Sequence, residues 1–365
     1  MKTRAALFRA IGAPLEVRDI EVEEPGPGDV LVRMAAIGIC GSDLHIVRGE
    51  WQRPTPMVLG HEGSGVIEAV GRGVEALAPG DRVVLSWAPG CGECGPCARG
   101  RPAACTRLRA AMGAGTLPDG STRLSLAGEP VYRMTATGAM SELVLLPESS
   151  ALPCPPGLPF EQAALLGCAA LTGVGAVLNA AHQAPGATAL VIGAGGVGQF
   201  AVQGARLAGA ARVIAVDPVA ARRQLALDVG ATSACSPDEV GAVVAEAAEE
   251  GVDYAYDAVG SPATAQLALE HTRPGGVAVL IGMPPAGARL DLDPAHFTQR
   301  EKTLIGTIYG SEDPAVGLPK LIAEVERGGL ALQPLVGPVF ALDDAQEAVE
   351  ASLAGEPKRV LVSPV

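Results

Sequence analysis

The feature that most constrains the fold is a change of period near residue 189. From there short apolar segments alternate with alanine-rich stretches of helical character, and strands are expected at 189–192, 212–216, 253–258, 277–282 and 303–308. Such alternation predicts parallel strands with helices on both faces, because each parallel connection needs a crossover. Gly193-Ala194-Gly195-Gly196-Val197-Gly198 follows the first strand and opens a helix. In that setting Gly193 permits a tight turn, Gly195 lets backbone approach a pyrophosphate, and Gly198 lets the helix pack closely on the strand, with Gly196 and Val197 completing the turn. The helix N-terminus adds N–H groups and partial positive charge for the phosphates. Asp217 ends the next strand, where a carboxylate accepts hydrogen bonds from ribose hydroxyls and repels a 2′-phosphate, so NAD is favoured over NADP. Arg222 and Arg223 pull the other way, since a nearby guanidinium tolerates that phosphate. The plain alternative is a glycine-rich turn in a packed sheet with no cofactor.

A chain of 365 residues exceeds the size of one hydrophobic core, which predicts two domains. Before the change of period, strands expected at 4–9, 29–37, 65–70 and 81–85 are broken by Gly and Pro and suggest a partly open β-barrel with functional loops. A proline-rich stretch, 153–159, reads as a hinge. The tail from about Gly310 reads as loops with one helix near 343–353 that rejoins the first domain. The expected division is 1–165 with 306–365, and 166–305. A net charge of −13 opposes attraction to nucleic acid or an anionic bilayer. Residues 163–181 carry no charge and are long enough to span a membrane, but their Ala and Gly content, Thr172 and Asn179, and the lack of basic flanks favour a buried helix. Arg9 interrupts the N-terminal apolar run short of a signal peptide, so a cytoplasmic protein is expected.

Four of the eight cysteines, Cys91, Cys94, Cys97 and Cys105, fall within one loop. In a cytosolic-type chain this points to metal rather than disulfides. Four thiolates suit a tetrahedral zinc that folds a lobe at about 88–108, whereas a ferredoxin-type cluster has three residues before its fourth Cys and Pro after it. Reduced free thiols are the remaining reading. Cys40, in Gly38-Ile39-Cys40-Gly41-Ser42-Asp43, and His61, in Gly60-His61-Glu62-Gly63, lie in glycine-flanked loops where side chains can converge.

These residues resemble the medium-chain zinc-dependent alcohol dehydrogenases, nearly end to end. The resemblance implies a GroES-like, mainly β catalytic domain joined to a doubly wound Rossmann cofactor domain. It implies two zinc ions per chain, with Cys40, His61 and Cys168 holding the catalytic one and a fourth position left for water or substrate. Alcohol dehydrogenase is itself the standard example of such an open Cys2His site. It further implies that Ser42 binds the alcohol hydroxyl, His45 passes its proton onward through the cofactor ribose, Asp43 orients His61, and Glu62 assists ligand exchange; Ser42 as a helix cap is the plain alternative. Thr172, Val197, Arg222 and Arg359 are implied in cofactor binding, and Trp51 and Trp87 in lining the substrate pocket. Cys168, where the polyol and threonine branches usually carry Glu, favours the alcohol branch. Gly41 departs from the basic residue many relatives have there, one that pairs with the pyrophosphate.

The expected activity is interconversion of an alcohol and an aldehyde or ketone with hydride transfer to or from NAD, by a homodimer or homotetramer. Zinc-free quinone or enoyl reductases of the superfamily and a crystallin-like structural protein are the competing classes. Arg109, with Arg101 and Arg107, matches a loop in which glutathione-dependent formaldehyde dehydrogenases hold an adduct carboxylate, or is a solvated basic loop.

Overall fold

The computed structural model describes residues 1–364, all but the side chain of His296. The chain divides into two compact units: Met1–Cys168 with Asp313–Pro319 and the segment from Val336 onward, and Ala169–Glu312 with Lys320–Leu335. The cuts lie a few residues beyond those read from the sequence. Lys320–Leu335, expected in the first domain, belongs to the second unit, where Gln203 ties it down by donating to the Ala331 carbonyl at 3.1 Å and accepting the Ala331 N–H at 2.7 Å.

In the second unit six parallel strands lie in the order Ser233–Cys235, Arg212–Val216, Thr188–Ile192, Val252–Asp257, Thr272–Leu280 and Thr303–Gly306. Counted along the chain this is 3-2-1-4-5-6, the doubly wound order, which opens a crevice beyond the carboxyl ends of the first and fourth strands. Leu190, Ile192, Ile214, Val216, Ala255 and Ala278 form its core; burying a large aliphatic side chain contributes about 1.5–3 kcal/mol. Ser233–Cys235 escapes sequence reading because three residues show no periodicity.

The first unit is mainly β. Asp29–Gly38 is the central strand of its seven-stranded sheet, pairing antiparallel with Glu62–Val70, Leu143–Pro147 and the C-terminal Arg359–Ser363. Gly38 pairs with Glu62 on one side and with Leu361 on the other, so the last strand of the chain lies beside Cys40. The tail also holds a helix read as loop in the sequence, Pro314–Glu326, whose signal is broken by Pro319.

Residues 160–180 form one long apolar helix with a mean hydropathy of 1.8 in its most apolar window, 78% of which is buried in the protein. Length and composition alone would let it cross a bilayer, but its burial is that of a core helix. Two of its turns, Leu166–Ala170 and Ala176–Ala180, widen to π geometry. Such single π turns recur at functional sites, and the first of them carries Cys168.

Candidate active site

Within the first unit, Cys40, His61 and Cys168 bring two sulfurs and one imidazole nitrogen within 4.8 Å of one another, all three side chains buried. Cys168 Sγ lies 3.5 Å from His61 Nε2. Three elements make this possible. Cys40 precedes the short helix Gly41–Val47 as its N-cap residue, which corrects the capping reading of Ser42. His61 enters from Gly60, whose φ of +87° and close approach to the Met140 backbone exclude a side chain. Cys168 arrives on the π turn, pressed onto the sheet because Gly167 has no Cβ; one there would stand 2.4 Å from the Leu85 carbonyl.

Asp43 staples the two loops. Fully buried, it accepts the Cys40 N–H at 2.9 Å through Oδ2 and the Gly60 N–H at 2.8 Å through Oδ1, and Oδ2 lies 3.5 Å from His61 Nδ1. That disposition suits a carboxylate orienting an imidazole whose other nitrogen faces a metal.

The electrostatics of the cluster call for a cation. The hydrogen bond from Cys168 pulls the Cys40 thiol well below its ordinary value, and the same contact pushes Cys168 well above. Burial disfavours the His61 imidazolium, but Asp43 and Cys40 outweigh it and raise His61 to about 9. Burial raises Glu62 to about 7 despite Arg359. Two sulfurs and an imidazole are the protein donor set of a Cys2His zinc site, and a divalent ion there would be held by thiolates rather than thiols.

The second cluster, Cys91, Cys94, Cys97 and Cys105, gathers four sulfurs within the same 4.8 Å limit. Cys91 and Cys97 are 4.0 Å apart, against about 3.8 Å between sulfurs of a tetrahedral site with Zn–S bonds of ~2.3 Å. The Cys97 and Thr106 backbone N–H groups lower the Cys94 thiol to about 6, while burial raises Cys97 to about 12. A closed set of four sulfurs leaves no position for substrate and is the donor set of a structural rather than a catalytic zinc.

In the second unit the glycines of the turn differ in what a side chain there would meet. Gly193 has φ +87°; a Cβ on Gly198 would overlap the Gly193 carbonyl at 1.7 Å; a Cβ on Gly195 would meet nothing within 4 Å, which leaves room for a phosphate. Asp217, buried, accepts the Ala194 N–H at 2.9 Å and the Val219 N–H at 2.8 Å, bracing the turn while each oxygen keeps a further lone pair. Gln199, which sequence reading missed, donates to both the Ala194 and Arg222 carbonyls at 2.8 and 3.0 Å; a glutamine directly after the last glycine was the available signal. Because backbone cannot yield as a side chain can, Gly198→Ala is expected to lower stability by about 3 kcal/mol and abolish dinucleotide binding. Calorimetry with and without dinucleotide checks this.

The alcohol dehydrogenase GroES-like domain model matches residues 26–156, and the zinc-binding dehydrogenase model matches 196–324. An NDMA-dependent alcohol dehydrogenase of Amycolatopsis methanolica is 39% identical over 96% of this chain and 95% of its own length. The chain belongs to the zinc-dependent medium-chain alcohol dehydrogenases. An S-(hydroxymethyl)glutathione dehydrogenase of Escherichia coli is 33% identical over 99% of this chain and all of its own. The crystal structure of benzyl alcohol dehydrogenase from Acinetobacter calcoaceticus covers both chains fully with a TM-score of 0.94 at 30% identity. As in this family, the fold joins a GroES-like unit to a Rossmann-type unit, and the activity is the zinc-dependent interconversion of alcohols and aldehydes.

The remaining family-implied residues are disposed as follows. Ser42 and His45 stand one turn apart on Gly41–Val47, half-buried, while Asp43, Leu44 and Ile46 are buried. Trp51 stacks on His45 with ring centroids 4.4 Å apart. Trp87 is buried, two residues beyond Leu85, whose carbonyl abuts the Cys168 turn. Thr172 lies on Leu171–Gly175, a helix drawn against Val197 because Gly173 has no side chain. Arg223 Nη1 donates to the Asp217 and Pro218 carbonyls at 2.8 and 3.0 Å; Arg222 Nη1 lies 3.9 Å from Asp217 Oδ2. Arg101, Arg107 and Arg109 are exposed, and Arg107 pairs with Glu93 at 2.8 Å.

Arg359 is buried beside the Cys40 and His61 loops. Its Nη1 donates to the Ile39 carbonyl at 2.7 Å and its Nε lies 3.0 Å from Glu62 Oε1, so the guanidinium serves the Cys40 and His61 loops. Its Nη2 is buried and has no hydrogen bond among the described residues. Register brings it there: Arg359 opens the strand whose Leu361 pairs with Gly38.

Proposed function

We propose that this enzyme oxidises an apolar or aromatic alcohol reversibly with NAD, carrying one catalytic and one structural zinc per chain. The observation that carries the reading is the buried trio Cys40, His61 and Cys168 braced by Asp43. The mainly β unit is the catalytic domain and the parallel-sheet unit the NAD domain. When bound, zinc supplies a Lewis acid that lowers the pKa of an alcohol hydroxyl toward ~7, and NAD supplies the hydride acceptor. Asp43 keeps the His61 imidazole oriented, and the Glu62–Arg359 pair balances charge behind the two loops. Ser42 receives the hydroxyl proton and His45 takes it onward, one helical turn away. Trp87, beside the Cys168 turn, and Trp51 give the pocket aromatic walls. Thr172, Val197 and Arg222 contact the dinucleotide, with Gly195 and the helix N-terminus at its phosphates.

The Asp217 carboxylate supports NAD over NADP by repelling a 2′-phosphate. Gly41, open to solvent with nothing near its Cβ position, leaves the pyrophosphate without the usual basic partner, which favours fast cofactor release. The reading also makes the enzyme a cytoplasmic homodimer or homotetramer without nucleic-acid or membrane partners, the last supported by the net charge of −13. Sedimentation gives the oligomeric state.

Steady-state assays with primary, secondary and aromatic alcohols, with NAD or NADP and with or without a thiol, test the reading. Benzylic alcohols with NAD and no thiol are expected to be fastest. Asp217→Ser is expected to lower kcat/KM for NAD about tenfold and to narrow the preference over NADP. A wild-type preference for NADP, or turnover only with a thiol adduct, overturns it.

A further inference from the structure

The helix that carries Ser42 and His45 ends at Val47, and the chain then turns back on it. Gly49, with φ +74°, reverses the backbone, and the N–H groups of Glu50 and Trp51 both land on the His45 carbonyl, at 2.9 and 3.2 Å. This turn has a local consequence: the two side chains that follow flank the His45 ring. The Glu50 Oε2 carboxylate oxygen meets His45 Nδ1 in a hydrogen bond, and the Trp51 indole stacks on the imidazole at 4.4 Å with an 18° tilt. The Arg53 guanidinium lies 6.0 Å from that indole. His45 is 18% exposed at its side chain and Glu50 30%, so solvent reaches the pair from outside.

We propose that Glu50 is the positioning residue for His45, a proposal that rests on the reading of His45 as the proton acceptor above. A carboxylate at Nδ1 keeps the proton on that nitrogen and leaves the Nε2 lone pair free to accept. The Trp51 face stops the ring from turning away. When Nε2 takes the proton released by alcohol oxidation, Glu50 stabilises the imidazolium without itself becoming protonated, and the Nε2 proton then passes to water. The balance is one proton per alcohol oxidised, released as hydride reaches the nicotinamide; the imidazole returns to its starting tautomer. An ordinary exposed ion pair on a helix would contribute little. What sets this one apart is its aim at one ring nitrogen combined with a stacked ring.

The test is a double-mutant cycle on holoenzyme, reading proton release by indicator dye beside NADH formation in a single turnover. Glu50→Gln keeps the size and removes the charge; zinc content and circular dichroism confirm intact protein. His45→Gln is expected to slow proton release at least about tenfold, and Glu50→Gln about tenfold. In the His45→Gln background, Glu50→Gln is expected to change the rate by less than about twofold, because its effect passes through the imidazole. Added imidazole buffer is expected to restore proton release to both single variants. Equal losses from Glu50→Gln in both backgrounds, or no loss in either while His45→Gln is slow, overturn the role of Glu50 alone. A silent His45→Gln overturns the His45 reading and the proposal with it.

Discussion

Cys40→Ser is expected to lower alcohol turnover by at least about a thousandfold and to reduce zinc from two ions per chain to one, with the fold retained. The thiolate is a strong, soft ligand, whereas a serine hydroxyl binds zinc weakly and stays protonated. Cys40 is buried, with Cys168, His61 and Arg359 acting on its thiol. The lost activity reflects the Lewis acid, to which several kcal/mol of transition-state stabilisation belong. The four-cysteine lobe lies on its own segment, Cys91 to Cys105, and is expected to keep its ion. Metal analysis of the purified variant beside its kcat checks both halves; full turnover with one zinc would contradict the mechanism.

Arg359→Met is expected to lower stability by about 3–5 kcal/mol, the cost of stranding a buried charge rather than of losing a surface contact. The Glu62 side chain is fully buried and that of Arg359 is 8% exposed, so no solvent screens what remains. The pair is held by charge more than by an aligned hydrogen bond, and its second anchor is the Ile39 carbonyl. Glu62→Gln combined with Arg359→Met removes both charges and is expected to recover most of the loss. Denaturant unfolding of the three proteins decides this: a double variant as unstable as Arg359→Met would assign the loss to packing instead.

The legible parts of the fold were those whose physics is local. Four cysteines inside one loop, glycines at fixed offsets after a strand, and apolar segments of strand length between helices all announce themselves within a few residues. Cys168 and His61 lie 107 residues apart, and their meeting was implied by family resemblance rather than by spacing. Arg359 shows the limit most clearly. Its hydrogen-bond partner Ile39 is 320 residues away, and only strand register reveals that the two meet. The resemblance implied a cofactor role for it; the register, with Leu361 of the same strand opposite Gly38, adds the contact with Glu62. Ser42 looked able to cap its helix, but the cap position falls two residues earlier, on the ligand Cys40 itself. Pro314–Glu326 was hidden by its own internal proline, and Ser233–Cys235 by its brevity. Asp43 was named for one task and performs two, since no sequence pattern reports that its second oxygen holds the Gly60 N–H.

Anomalous scattering from crystals at the zinc edge tests the central claim most directly. Two peaks per chain are predicted, one among Cys91, Cys94, Cys97 and Cys105, and one within bonding distance, about 2.0–2.3 Å, of Cys40 Sγ, His61 Nε2 and Cys168 Sγ. A single peak in the cysteine lobe, in protein that turns over alcohol, would contradict it.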